Sequence, residues 1–92
     1  MKSEREQTKA RDQYLADLAQ RVPESWHQVE DLIGMKSPTD YDRAVALLVD
    51  LRDLAKRSGQ SPEVEARIRE LRQRHRYKPS LLKRIDNANL RT

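Results

Sequence analysis

The sequence predicts an all-α domain of about five short helices, folded back on one another as antiparallel hairpins. Its apolar residues recur at steps of three and four, and no stretch alternates with the period of a strand. Each of its four prolines, Pro23, Pro38, Pro62 and Pro79, stands just before a segment with that helical spacing. A proline is tolerated in the first turn of a helix, where its missing N–H has no partner to lose, and it stops a preceding helix.

Ninety-two residues suit one small domain, here 1–92, with residues 1–9 expected to fray. The hydrophobic fraction is 36% and the charged fraction 37%, so the core must be thin. With no Phe and a single Trp, that core must rest on Leu, Val, Ile and Ala. Gly and Pro are few and the apolar residues are periodic, which argues against disorder despite the charge.

The first helix is expected from about Ser3 to Arg21. Ser3 and Glu6 have capping-box spacing, and the apolar stripe is Ala10, Tyr14, Leu15, Leu18, Ala19 and Val22. The second runs from about Pro23 to Gly34, with Trp26, Val29, Leu32 and Ile33 on one face. Trp26, the largest apolar side chain, is expected to pack on the third helix near Tyr41 or Val45. The third, from about Thr39 to Ser58, is the most apolar. Its Tyr41, Ala44, Val45, Leu47, Leu48, Leu51, Leu54 and Ala55 span an arc of about 180° at 100° per residue. An arc that wide predicts neighbours on more than one side. Ser37 stands at the N-cap position before Pro38, and Gly59 where a left-handed C-terminal cap would fall.

The fourth helix runs from about Pro62 to Arg76, with Ser61 as its expected N-cap and a narrow stripe of Val64, Ile68 and Leu71. The fifth, about Pro79 to Asn89, carries Leu81, Leu82 and Ile85, with Leu90 beyond. Loops this short place successive helices antiparallel. The spacing of Trp26 and Val29 against Tyr41, Ala44 and Leu48 resembles a tetratricopeptide unit. The glycine position and helix phase do not fit one and no second copy is visible, so the likeness is that of a tetratricopeptide-like helix pair or small bundle.

Charge is distributed unevenly. The stretch 67–84 holds eight Lys or Arg against the single Glu70, a net charge of +7, while the whole chain is +4. A basic end on an otherwise mildly acidic chain points to a polyanion or an acidic protein surface. The candidate binding residues are Arg69, Arg72, Arg74, Arg76, Lys78, Lys83 and Arg84.

Other chemistry finds little support. There is no Cys, which removes disulfides, thiolate catalysis and Cys-type zinc sites and fits a reducing cytoplasm. His27 and His75 lie in different helices without metal-ligand spacing, so no metal or cofactor is expected; His27 is expected at the surface beside Trp26 and His75 on the basic face. Asp40 and Asp42 suit a helix N-terminus, and Asp50 and Asp53 are expected in intrahelical ion pairs such as Asp53 with Arg57. Gly34 and Gly59 are too isolated for a phosphate-cradling loop or a nucleophile elbow. The N-terminus is too polar for a signal peptide, and the longest apolar run, 44–49, is far too short for a bilayer.

The segments WHQVEDLIGMKSPTDYDRAVALLVDLRDLAKRSGQ and ARIRELRQRHRYKPSLLKRIDNANL carry a resemblance. Tyr41, Asp42, Ala44, Val45, Leu47, Leu48, residues 50–55, Leu71, Arg72, His75, residues 78–82, Arg84, Asp86, Ala88 and Leu90 match a helical tail that resembles the one following the finger in bacterial SWIM zinc-finger family proteins. The resemblance spans roughly Trp26 to Leu90 and implies an interaction or scaffolding role. The Cys-x-Cys and Cys-x-His of the family's finger have no counterpart in a chain without Cys, so neither zinc nor the finger's DNA binding carries over. The leading expectation is a non-catalytic, cytoplasmic helical module that binds another protein or a second copy of itself. The rival is a nucleic-acid-binding module using the patch 67–84. No membrane partner is expected.

Overall fold

A computed structural model describes the backbone of residues 2–90 and the side chains of residues 9–90. Five helices follow in order: α1 (Lys2–Ala19), α2 (Val22–Gly34), α3 (Pro38–Ser58), α4 (Ser61–Arg74) and α5 (Pro79–Asn87). They are joined by residues 20–21, 35–37, 59–60 and 75–78. The Ser3–Glu6 capping box concerns side chains outside the described residues; the backbone of residues 2–9, where fraying is expected, is helical.

Each of α2 to α5 carries its proline at the first or second helical position. In α3 and α5 it is first; in α2 and α4 a residue precedes it. The second position costs no more than the first, because neither N–H has an intrahelical acceptor. Ser37 is the N-cap of α3, with extended φ and ψ, but its hydroxyl makes no capping hydrogen bond. Ser61 is not a cap. Gln60 occupies that position and Ser61 opens the helix. The other expected terminus holds: Gly59 takes a φ of 71°, and the Gln60 N–H donates back to the Ala55 carbonyl at 2.8 Å. That left-handed cap turns the chain from α3 into α4 within residues 59–60 and fixes where α4 lies.

Helix α3 is the axis of the domain, and every other helix packs on it. Tyr41, Ala44, Val45, Leu48, Leu51 and Ala55 are buried, and Leu47, Val49 and Leu54 are part-buried against the same core. The wide apolar arc is therefore filled from several sides. Val29 and Ile33 reach it from α2, Ile68 and Leu71 from α4, and Leu81 and Ile85 from α5. Each such side chain removed from water contributes about 1.5–3 kcal/mol.

The stripe expected on α1 is narrower in the structure. Leu15 and Leu18 are buried, Val22 is part-buried at the start of α2, and Ala10, Tyr14 and Ala19 are exposed. Polar contacts take over where the stripe ends. Arg11 donates to Asp50 at 2.7 Å and to Asp53 at 2.8 Å, Tyr14 donates to Asp50 at 2.8 Å, and Arg57 pairs with Asp12. The intrahelical pairing expected of Asp53 with Arg57 is thus replaced by pairs between α1 and α3. A charge facing a neighbouring helix finds a partner there without bending along its own surface. Asp50 holds the Arg11 guanidinium more firmly charged, against a smaller opposing effect of burial.

The phenol of Tyr14 is raised above its ordinary pKa, first by its hydrogen bond to Asp50 and then by burial. The folded state therefore holds this proton more tightly than the unfolded chain. Its contribution to stability is complete below the unfolded pKa, about 10, and is lost as pH rises through the higher folded value. Urea midpoints measured from about pH 8 to about pH 11 should fall more steeply in the wild type than in Tyr14→Phe. Equal declines would show that the hydrogen bond does not contribute.

At the other end of the chain, Asn89 takes a φ of 59° and the Leu90 N–H donates to the Ile85 carbonyl at 3.2 Å. Leu90 folds back into the core. Arg52 of α3 donates to the carbonyls of Ala88 and Asn89 at 3.3 and 3.2 Å, placing a cation at the negative end of α5.

Candidate functional site

The seven basic candidates do not form one patch. Ile68 and Leu71 bury one face of α4, and at 100° per residue the arginines divide between its two flanks. Arg67 and Arg74 lie toward α2. Arg69 and Arg72 lie toward α5, and Arg76 follows the end of the helix.

Three of the seven are neutralised within the fold. Arg72 donates to Asp86 of α5 at 2.6 Å, Arg84 to Asp42 of α3 at 2.7 Å, and Arg74 Nη2 stands 3.0 Å from Glu30 Oε1 of α2. That last contact has the distance of an ion pair without the angle of a hydrogen bond, so Oε1 remains buried without a hydrogen-bond donor. Among the described residues Arg69, Arg76, Lys78 and Lys83 make no ion pair. Asp42, expected only to suit the N-terminus of α3, and Asp86 thus join α5 to α3 and α4.

His75 is not a member of the basic face. It caps the C-terminus of α4, and its Nε2 lies 3.0 Å from Glu30 Oε2 with the side chain only 18% exposed. Glu30 thus ties α2 to α4 through Arg74 and His75 together. His27, as expected, is exposed.

A groove runs between α2 and α4, both of which rest on α3. It encloses about 350 Å³. Val22, Pro23, Trp26 and Leu71 supply its apolar lining, and Arg67, Glu70, Arg74, His27 and Glu30 its polar lining. A smaller hollow of about 150 Å³ shares Val22 and Trp26 with it, and is otherwise lined by residues such as Leu51, Leu54, Ala55 and Val64. The Arg67 guanidinium lies over the Trp26 ring, 5.0 Å from its centre.

Trp26 therefore sits beside the second half of α3 and not beside Tyr41 or Val45. A symmetric antiparallel hairpin would set Trp26, which is eight residues before the end of α2, near Ala46; the structure seats it further along α3, at a hollow lined by Leu51, Leu54 and Ala55. Tyr41 is next to the turn.

Sequence reasoning passed over Glu30 and Arg11, and read Arg67 only as part of a charge run. The available signal was spacing: Glu63, Arg67, Glu70 and Arg74 recur at helical steps along one flank of α4, as residues facing one neighbour should.

Among the described residues no group of His, Asp or Glu could hold a metal ion, and no helix is long and apolar enough to cross a membrane. Compared with protein-family models, with curated proteins and with solved structures, the chain finds no match in any of the three.

Proposed function

We propose that this domain is a non-catalytic helical module that binds another protein, and that the groove between α2 and α4 receives it. The observation that supports this is the placement of Trp26. It is the chain's single tryptophan, part-buried against the core, and it belongs at once to the larger groove and to the apolar hollow beside it. Trp and Arg are the side chains that most often dominate protein interfaces when set in a concave, partly desolvated place. Here Arg67 lies against Trp26.

The occupant that suits such a lining is a peptide segment with an apolar residue for the hollow and polar groups for the rim. The rim offers both signs of charge, Arg67 and Arg74 beside Glu30 and Glu70, so a strongly acidic or strongly basic segment fits it less well than a mixed one. The role agrees with the one implied by the resemblance of residues 26–90 to the SWIM-family tail, without the finger.

Random-peptide display against the folded protein tests the reading. Synthesised winners can be titrated by Trp26 fluorescence, which reports from the groove itself. Val22→Gln and Arg67→Glu should each weaken binding by about tenfold or more. A dimer in sedimentation equilibrium that Arg67→Glu dissolves would make the partner a second copy. Peptides that bind both variants as tightly as the wild type would defeat the proposal, as would no enrichment from a monomeric protein.

A further inference from the structure

We infer that the corner between α4 and α5 is a binding surface for single-stranded nucleic acid, with Tyr77 as a stacking platform and Arg69, Arg76, Lys78 and Lys83 as phosphate contacts. It is a different surface from the α2–α4 groove and does not depend on it.

Tyr77 is 82% exposed, more than any other large apolar side chain among the described residues. Of the chain's four aromatic rings this is the most exposed, and it lies in the most basic part of the chain. The ring is held in place. The Arg76 guanidinium lies 4.9 Å from its centre and donates to the phenol oxygen at 3.1 Å. A cation against one face leaves the other available to a base, and every base can stack on an aromatic ring whatever its identity.

The charge around Tyr77 is what the fold leaves over. The partners Asp86, Glu30 and Asp42 are set against Arg72, Arg74 and Arg84. Four of the seven candidates, Arg69, Arg76, Lys78 and Lys83, make no ion pair among the described residues, and they lie on α4, the connection 75–78 and α5. Arg69 is exposed on the flank of α4 toward α5; Arg76 follows the end of that helix, next to Tyr77; Lys78 is the N-cap of α5; and Lys83 is opposite the buried Leu81 and Ile85. Glu65, one turn before Arg69, is the nearest carboxylate in sequence on that flank, and makes no ion pair with it among the described residues.

The same geometry argues against duplex recognition. A helix that reads a major groove must present an exposed face to the bases. The exposed face of α4 carries Glu63, Glu65 and Glu70 among its arginines, carboxylates that the phosphates lining a groove repel. A single strand needs only a basic track and a ring on which to stack.

The test is fluorescence anisotropy with a short labelled pyrimidine strand and a duplex of equal length, from low to physiological salt. The single strand should bind more tightly than the duplex. A plot of log affinity against log salt should have a slope of about −3, at about −0.7 per phosphate contact. Tyr77→Ala should weaken binding about 5- to 100-fold. Arg76→Ala and Lys78→Ala should each flatten the slope by about 0.7. Lys56→Ala removes the same charge from the exposed end of α3 and should leave both quantities unchanged. These are surface changes, and unfolding curves would confirm that each variant is folded. Three results would overturn the inference: no binding to the strand, a duplex bound as tightly with Tyr77→Ala silent, or Lys56→Ala as damaging as Arg76→Ala. The last would mean that net charge alone attracts the strand.

Discussion

Leu48→Ala should lower the stability of the domain by about 2–5 kcal/mol, and Leu51→Ala by a similar amount. Both side chains are all but inaccessible to water and sit at the middle of α3, where helices meet from several sides. Removing three carbons there forfeits burial and leaves a cavity whose walls belong to different helices, so no single shift can close it. A domain of this size has about 5–14 kcal/mol in total, so either change could leave a substantial unfolded population. Denaturant unfolding followed by circular dichroism measures the loss. Leu47→Ala, one residue from Leu48 but only part-buried, should cost less. Unchanged midpoints for Leu48→Ala and Leu51→Ala would show that this face is not the core.

Ile85→Ala should cost a comparable amount, about 2–5 kcal/mol, but with a local signature. Helix α5 spans Pro79–Asn87, and a helix that short has almost no stability in isolation. It is held by the buried Leu81 and Ile85, by Leu90 folding back, and by Arg72–Asp86 and Arg84–Asp42. Those ion pairs are partly solvated and weak by themselves, so apolar burial must supply most of the docking energy. Amides of α5 should then exchange by local opening in Ile85→Ala, while those at the centre of α3 keep the protection of global unfolding. Loss of protection in equal measure across α3 and α5 would show one cooperative unit instead. Uniform protection as in the wild type would show that Ile85 does not anchor the helix.

The parts of the fold legible in the sequence share a physical property: each is decided within about two turns of chain. Proline at a helix start, glycine at a left-handed terminus and apolar spacing along one face all act over that range. Hence the five helices end within a few residues of their expected bounds, and the expected arc of α3 is the buried one. Helix α1 is the instructive exception. Its stripe included Ala10, Tyr14 and Ala19, which the structure leaves exposed, because α1 is anchored by Leu15 and Leu18 and then by polar contacts. Periodicity shows which face is apolar, and not how far along a helix its neighbour extends.

The basic stretch shows the same limit from the side of charge. Eight cations in sequence look like one patch. In the fold, Arg72, Arg74 and Arg84 are consumed by carboxylates 14, 44 and 42 positions away (Asp86, Glu30 and Asp42), Arg67 lies over Trp26 in the groove, and Arg76 lies against the exposed Tyr77.

The sequence by itself determined the class of fold, the extent of each helix and the identity of the central one. Those follow from backbone sterics, helix termini and the burial of apolar side chains, which local pattern encodes. The tertiary structure alone decided which charge meets which, where Trp26 lies along α3, and that α2 and α4 leave a groove between them. Those depend on the register and angle at which whole helices settle. A shift of one turn changes every long-range ion pair while leaving the apolar pattern intact, so a periodic sequence cannot specify them.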